Sequence, residues 1–166
     1  LIKEYQEEMK AELCSIGGLN DIDGALRGFE KVFAAYIGVQ HAYAVNSGTD
    51  ALQLALRALG VGKGDRVIVP DVTYPAVILS VLYAGAEPVV VDVTEDLEID
   101  VEKVARELRK KTGAIIAPHM FARPCDIESI GALAKKRGVK VIEDCCQAES
   151  SMLNGRRLGS FGDISC

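Results

Sequence analysis

Short β-branched segments alternate with helical segments between about residues 42 and 144, and this alternation constrains the fold more than any other feature of the sequence. Neighbouring parallel strands need a crossover of about a dozen residues or more, which is usually a helix. The pattern therefore predicts an α/β fold with a mostly parallel sheet flanked by helices. The predicted strands are 43–45, 66–69, 88–91, 114–117 and 139–142, and the predicted helices between them are 51–59, 76–83, 101–108 and 127–136.

Three further elements stand outside this alternation. Residues 5–13 have helical spacing, and the glycine-rich segment 17–20 breaks that helix. A second helix is predicted from Asp23 to Gly38, because glycine commonly ends a helix. Asn154 and Gly155 together predict a hairpin turn.

Charge and composition narrow the class of partner. The 166 residues carry a net charge of −5, which argues against broad binding to nucleic acid or to anionic membranes. No apolar run approaches membrane-spanning length, and the first residues do not resemble a signal peptide. Five cysteines without Cys-x-x-Cys spacing fit free thiols in a reducing cytoplasm. The two histidines, His41 and His119, are too isolated in the sequence to indicate a metal site.

Asp144 follows the predicted buried strand 139–142, and parallel α/β sheets bind ligands at the carboxyl ends of their strands. A carboxylate there can face a cationic ring nitrogen, a metal ion or a ribose. Acidic residues are also common where a strand ends in a turn. Taken alone, Glu143 and Asp144 therefore fit a purely structural role equally well.

The segment Ser47-Gly48-Thr49 stands where a predicted strand opens into a helix. Gly48 permits close approach of the backbone, and free N–H groups at a helix start form an anion site. Thr49 can add a hydroxyl donor. The segment also fits an ordinary N-cap, because serine and threonine are preferred there. A second glycine-rich segment, 60–65, follows a helix and has glycine after Gly-Lys, so it fits a turn better than a P-loop.

Tyr74 follows the predicted strand 66–69, which places it at the same edge of the sheet as Gly48 and Asp144. An aromatic ring at this edge can stack on a flat ligand, or it can pack between helix and sheet. An anion site, an aromatic ring and a carboxylate together suit pyridoxal 5′-phosphate, a flat ring that bears a phosphate and a ring nitrogen.

Five segments in this order resemble the DegT/DnrJ/StrS sugar aminotransferases, which are fold type I pyridoxal-phosphate enzymes. The resemblance extends from about residue 24 to residue 166 and is carried by residues 44–52, 64–70, 83–89, 141–148 and 159–164. It implies the three-layer α/β/α large domain of these enzymes. Residues 1–166 are expected to be a single, truncated large domain that is incomplete at its C-terminus, with the small C-terminal domain absent.

The resemblance also implies a role for each candidate residue. Gly48 and Thr49 would hold the phosphate of pyridoxal phosphate, and Tyr74 would stack on its ring. Asp144 would pair with the pyridine nitrogen, and Gln147 would lie near the phenolic oxygen. The implied reaction moves an amino group from an amino acid, commonly glutamate, to a keto-sugar nucleotide, and the implied assembly is a homodimer.

Two positions depart from the family pattern, and one group of the family is not expected in this chain. Glu149 stands where the family usually has histidine, and Arg123 stands where it often has glutamine. In the family, a phosphate-binding serine and the Schiff-base lysine follow the stretch that is Gly162-Asp163-Ile164 here. We therefore expect no lysine of residues 1–166 to occupy the catalytic position.

Three alternatives stay open at this point. The first is a sugar dehydratase of the same family, in which histidine replaces the lysine. The second is a cofactor-binding or regulatory relative without catalysis. The third is a nicotinamide-binding α/β enzyme, although the first strand–helix turn lacks the glycine fingerprint of that class.

Overall fold

The computed structural model describes residues 22–108 and 111–166. The helix predicted over 5–13 and the break at 17–20 lie outside the described residues. The chain separates into two units, residues 1–44 and 45–166. In the first unit, helix α1 (Ile22–Ile37) ends at Gly38, whose φ of +86° favours glycine, so the helix predicted there is confirmed.

Helices and strands alternate in the second unit as the sequence predicts. The elements are α2 (Gly48–Ala58), β1 (Arg66–Pro70), α3 (Pro75–Tyr83), β2 (Glu87–Val91), α4 (Val101–Glu107), β3 (Thr112–Pro118), a 3-10 turn (Met120–Ala122), α5 (Ile127–Arg137), β4 (Lys140–Asp144), β5 (Met152–Leu153), β6 (Arg156–Arg157) and β7 (Ile164–Ser165). Five of these strands form one parallel sheet in the order β2-β1-β3-β4-β7. Strands β5 and β6 form the predicted hairpin, in which Asn154 and Gly155 both have positive φ, as a type I′ turn requires.

Helices cover both faces of the sheet. Successive strand residues point to opposite faces, so Val67 and Val69 pack with the apolar residues of α2 and α3. Ile68, between them, packs with the apolar residues of α4 and α5. Both sets are buried, which explains why the strands are nearly continuous apolar runs in the sequence. The three-layer α/β/α arrangement is confirmed.

Helix α5 has both of its predicted ends. Asp126 is the N-cap, and its Oδ1 accepts a hydrogen bond from Ser129 N–H at 3.1 Å. Gly138 ends the helix in the left-handed conformation, with φ +66°. Cations in the last turn complement the helix dipole. These local signals fix where β4 begins and so where its carboxyl end lies.

Two strand assignments differ from the sequence prediction. Residues 43–45 form no strand in the structure, and the side chains of Tyr43 and Val45 are exposed. Their residue types favour strands, but a strand needs a partner, and no described strand pairs with this segment. Strand β7 was not predicted, because two residues carry no periodicity. It exists through its pairing with β4, in which Ile164 lies beside Ile142.

The order of the strands reverses beside β1, because β2 lies on one side of it and β3 on the other. Ligands of open α/β sheets bind in the crevice at such a point, outside the carboxyl ends of the strands. None of the helices in the described ranges has the length and the apolar character needed to cross a membrane.

Candidate active site

A cleft of about 400 Å³ lies at the carboxyl edge of the sheet. Its walls come from the first turn of α2 and from the segments that follow β1, β3 and β4. Small-molecule sites in proteins typically measure about 300–1,000 Å³, so the cleft is large enough for a cofactor. It is lined by all five residues that the sequence nominated, which are Gly48, Thr49, Tyr74, Asp144 and Gln147.

The start of α2 forms one wall of the cleft. Ser47 is the N-cap: its Oγ accepts a hydrogen bond from Asp50 N–H at 3.1 Å and donates one to Asp50 Oδ2 at 2.8 Å. Among the described residues, no acceptor bonds to the amide of Gly48 or of Thr49. The N-cap and the anion site are therefore compatible, because Ser47 caps the helix and leaves two backbone donors at the cleft wall.

Tyr74 precedes the first residue of α3 and is 65% exposed. A ring used for packing between helix and sheet would be buried. The exposure of Tyr74 therefore favours the alternative in which an aromatic face is available to a ligand in the cleft.

Asp144 is the last residue of β4 and is only 8% exposed. Its Oδ1 accepts a hydrogen bond from Cys146 N–H at 3.1 Å, which limits the rotation of the carboxylate. Partial burial, followed by the neighbouring carboxylate of Asp144, raises the pKa of the Cys146 thiol to about 12. The thiol is therefore protonated at neutral pH.

Gln147 is oriented by the loop that follows β3. Its Oε1 accepts a hydrogen bond from Phe121 N–H at 2.9 Å. Because a backbone N–H needs an acceptor, this bond assigns the oxygen and leaves the Nε2 group as a donor. Phe121 and Ala122 have φ of +54° and +60°, a left-handed conformation that is unfavourable for residues other than glycine. The bonds from Phe121 to Gln147 and from Ser151 Oγ to the Ala122 carbonyl oxygen (3.0 Å) hold this loop.

His119 and Glu143 form a buried pair that the sequence analysis missed. Both side chains are fully buried, and His119 Nε2 lies 3.2 Å from Glu143 Oε2. His119 also lines the cleft, and its backbone N–H donates to the Asp144 carbonyl oxygen at 3.0 Å. One signal was available: adjacent residues of a strand face opposite sides, so Glu143 had to point away from the side of Asp144.

These two residues belong to a group with the composition of a metal site. The potential ligand atoms of His119, Glu143 and Cys145 lie within 4.8 Å of one another. The imidazole and carboxylate atoms already have hydrogen-bond partners: Cys125 N–H donates to His119 Nδ1 at 3.2 Å, and the Glu143 oxygens accept bonds from His119 and from three backbone amides. Burial, together with nearby acidic groups, raises the pKa of the Cys145 thiol, which disfavours the thiolate that a metal needs. The geometry thus supports a hydrogen-bonded cluster.

The two departures from the family pattern lie outside the cleft lining. Arg123 forms an exposed ion pair with Asp96, with 2.9 Å between Nη2 and Oδ1. Glu149 is exposed in the turn after β4. Neither Arg123 nor Glu149 contributes a donor or an acceptor to the cleft lining.

Comparison with known proteins places this geometry in context. Residues 4–166 match the DegT/DnrJ/EryC1/StrS aminotransferase family. The chain is 43% identical over 164 residues to the dTDP-3-amino-3,6-dideoxy-alpha-D-galactopyranose transaminase of Aneurinibacillus thermoaerophilus, with 98% of this chain and 45% of that protein covered. It spans less than half the length of the curated relatives that it matches first.

Solved structures agree with the sequence match. S. venezuelae DesV, in complex with a ketimine intermediate, is similar with a TM-score of 0.80 and 39% identity, over 95% of this chain and 43% of that one. The PLP-form of a Streptococcus pneumoniae protein has a TM-score of 0.81 and 30% identity, over 84% of this chain and 40% of that one. With a match over nearly its whole length and the same fold, the chain belongs to the DegT/DnrJ/EryC1/StrS aminotransferase family.

Proposed function

We propose that the protein containing this chain is a pyridoxal-phosphate-dependent aminotransferase. It would transfer an amino group from an amino acid, with glutamate as the expected donor, to a keto-sugar nucleotide. The observation that carries the proposal is that the start of α2 and the carboxylate of Asp144 line one cleft. Backbone donors at a helix start suit a phosphate, and a carboxylate suits a protonated pyridine nitrogen. The name of the A. thermoaerophilus relative, a nucleotide-sugar transaminase, supports the substrate class.

Each cleft residue has one proposed task. The amides of Gly48 and Thr49, with the Thr49 hydroxyl, bind the phosphate. Tyr74 covers one face of the ring, and the Nε2 group of Gln147 donates to the phenolic oxygen. Asp144 holds a proton on the pyridine nitrogen, and its bond from Cys146 N–H keeps the carboxylate in place. When bound, pyridoxal phosphate would supply the electron sink on which transamination depends.

The assembly, the location and the source of the reactive amine are further parts of the proposal. The resemblance to family members, whose sites borrow residues from a second subunit, supports a homodimer. Four free cysteines in the described part of the chain support a reducing, cytoplasmic location. The resemblance to the family, in which the Schiff-base lysine follows the stretch that is Gly162-Asp163-Ile164 here, supports an amine supplied from outside residues 1–166. Sedimentation of the protein as a monomer at micromolar concentration would contradict the dimer.

Substitution of the cleft residues tests the cofactor assignment. In Asp144→Asn the ring nitrogen loses the charge that keeps it protonated, so transamination should slow by orders of magnitude while the circular dichroism spectrum stays unchanged.

In Thr49→Val one hydrogen bond to a charged group is lost, and cofactor affinity should weaken by about 1–3 kcal/mol. Turnover and absorbance titration with pyridoxal phosphate measure the two effects.

Asp71→Asn is the matched control, because Asp71 is an exposed carboxylate that follows β1 at the same edge of the sheet and does not line the cleft. It should leave both turnover and cofactor affinity at the wild-type level. Near-wild-type turnover in Asp144→Asn would contradict the assignment of Asp144. Unchanged affinity in Thr49→Val would contradict the role of the Thr49 hydroxyl in phosphate binding.

A further inference from the structure

Glu143 accepts four hydrogen bonds in a position that is closed to water. Its Oε1 accepts from Phe161 N–H and Gly162 N–H, both at 2.6 Å, and its Oε2 accepts from Gly159 N–H at 2.8 Å and from His119 at 3.2 Å. Burial by itself would raise the pKa of Glu143, but the bonds from His119 and from the three amides outweigh it and hold the pKa below its usual value. Glu143 is therefore ionised at neutral pH although its side chain is fully buried.

The hydrogen bonds also determine the state of His119. Cys125 N–H donates to His119 Nδ1 at 3.2 Å, so Nδ1 carries a lone pair and no proton. The proton then resides on Nε2, which donates it to Glu143. Both ring nitrogens are occupied, so the part of His119 that lines the cleft is a fixed wall without a free acid or base.

The 159–162 segment is shaped to fit this carboxylate. A Cβ added to Gly162 would lie 2.9 Å from the Val141 carbonyl oxygen and 3.3 Å from Glu143 Cγ. A side chain at position 162 would therefore push the segment away from β4. Gly159 has φ +90°, which also favours glycine. These two glycines allow amides from one turn to converge on one acceptor.

The segment leads directly into β7, which lies beside Asp144. Cys166 N–H donates to the Glu143 carbonyl oxygen at 2.9 Å, and Cys145 N–H donates to the Cys166 carbonyl oxygen at 2.7 Å. The Asp144 carbonyl oxygen accepts from His119 N–H on the other side. The residue before Asp144 and the residue after it are thus tied to Cys166, the residue that follows β7, while Asp144 itself is tied to the loop that follows β3.

We propose that Glu143 is a positioning residue for the cleft: its carboxylate fixes the tautomer and orientation of His119 and holds the 159–162 segment, and with it β7, against the end of β4. It acts through these groups and does not touch the ligand. The identity of the ligand in this proposal rests on the proposed function. The positioning of His119 and of the 159–162 segment can be measured without a ligand.

The test replaces Glu143 with glutamine. The side-chain amide has one oxygen and one NH₂ group, so it cannot accept from three backbone amides and His119 together. We expect Glu143→Gln to lose the Nε2–H tautomer of His119 in ¹⁵N NMR spectra and to speed hydrogen exchange at Gly159, Phe161 and Gly162. The affinity for pyridoxal phosphate should fall by about tenfold or more, which is the scale of one lost hydrogen bond. It is measured at about 10 °C, after circular dichroism has shown that the variant is folded. Glu87→Gln, which changes an exposed carboxylate at the start of β2, should change none of these quantities.

Each outcome bears on the proposal. The proposal would be overturned if Glu143→Gln kept the wild-type tautomer of His119 and wild-type hydrogen exchange. It would also be overturned if both changed while the affinity for pyridoxal phosphate stayed the same. If that variant does not fold, the same measurements on the wild-type protein test the proposal. A proton on His119 Nδ1, or fast hydrogen exchange at Phe161 and Gly162, would overturn it. The Nε2–H tautomer together with slow exchange would support it. If the wild-type protein binds no pyridoxal phosphate, the proposed function fails, while the tautomer and exchange data still test the positioning.

Discussion

Glu143 and Asp144 are neighbours in the sequence, yet the fold gives them different surroundings. Side chains alternate across a strand, so Glu143 points toward the 159–162 segment while Asp144 faces the cleft. Three backbone amides and His119 compensate the charge of Glu143. Asp144 keeps one oxygen, Oδ2, that accepts no bond from a backbone amide of the described residues. Residue type alone does not separate a structural carboxylate from one that is available to a ligand.

At Gly48, the absence of a side chain leaves room for the sulfur of Cys146. A Cβ at this position would lie 2.7 Å from Cys146 Sγ. Gly48→Ala should therefore lower the free energy of unfolding by about 0.5–1.5 kcal/mol, the cost of displacing the exposed Cys146 side chain from its rotamer. Urea denaturation measures the change.

A second substitution controls for other effects of Gly48→Ala. Cys146→Ala removes the sulfur, so the double variant should recover most of the lost stability, while Cys146→Ala alone measures the cost of losing the thiol. A double variant that is no more stable than Gly48→Ala would show that the contact with Cys146 is not the cause.

At the scale of the element, α5 has one glycine inside it and one directly after its last residue, in opposite situations. Gly138 ends the helix in the left-handed conformation, whereas Gly131 lies inside the helix with no atom within 4 Å of an added Cβ. Gly138→Ala should lower the free energy of unfolding by about 1–2 kcal/mol, because alanine is strained at positive φ. Gly131→Ala should raise it by about 0.5–1 kcal/mol, because alanine loses less entropy in a helix. Equal effects of the two substitutions in thermal or urea unfolding would contradict the helix end at residue 137.

For the whole molecule, two carboxylates predict a loss of stability in acid. Hydrogen bonds hold the pKa of Glu143 below its usual value despite burial. Burial also opposes ionisation of Asp163, but the hydrogen bonds from Lys140 Nζ (2.8 Å) and Val141 N–H (2.9 Å) lower its pKa. The unfolded chain therefore binds protons at a higher pH than the folded chain does. The stabilisation is complete above the unfolded pKa values, near 4.5 and 3.8, and is lost as the pH falls through the lower folded values.

Urea denaturation between pH 7 and pH 3 should show this decrease in the free energy of unfolding. Asp163→Asn and Glu143→Gln should each be less stable than wild type at pH 7 and should each lose less stability on acidification. A wild-type protein whose stability does not change over this range would contradict the assigned hydrogen bonds.

The sequence by itself determined the features that depend on local pattern. The α/β class, the order of its elements, both ends of α5 and the hairpin at Asn154-Gly155 follow from the spacing of apolar residues, from capping residues and from turn residues. Four of the residues that line the cleft, Gly48, Thr49, Tyr74 and Asp144, could also be named, because parallel strands bring the segments after them to one edge of the sheet. A fifth, Gln147, was named from the family resemblance.

Only the tertiary structure decided the contacts between distant segments. The bond between His119 and Glu143, the amides of residues 159–162 that converge on it, and the closeness of Cys146 to Gly48 leave no periodic trace in the sequence. The same reason accounts for both errors in the strands: residues 43–45 have strand-forming residue types but no described partner, whereas β7 has only two residues and depends on its pairing with β4. A helix forms its backbone hydrogen bonds within one segment, but a strand depends on a neighbour that local sequence does not specify.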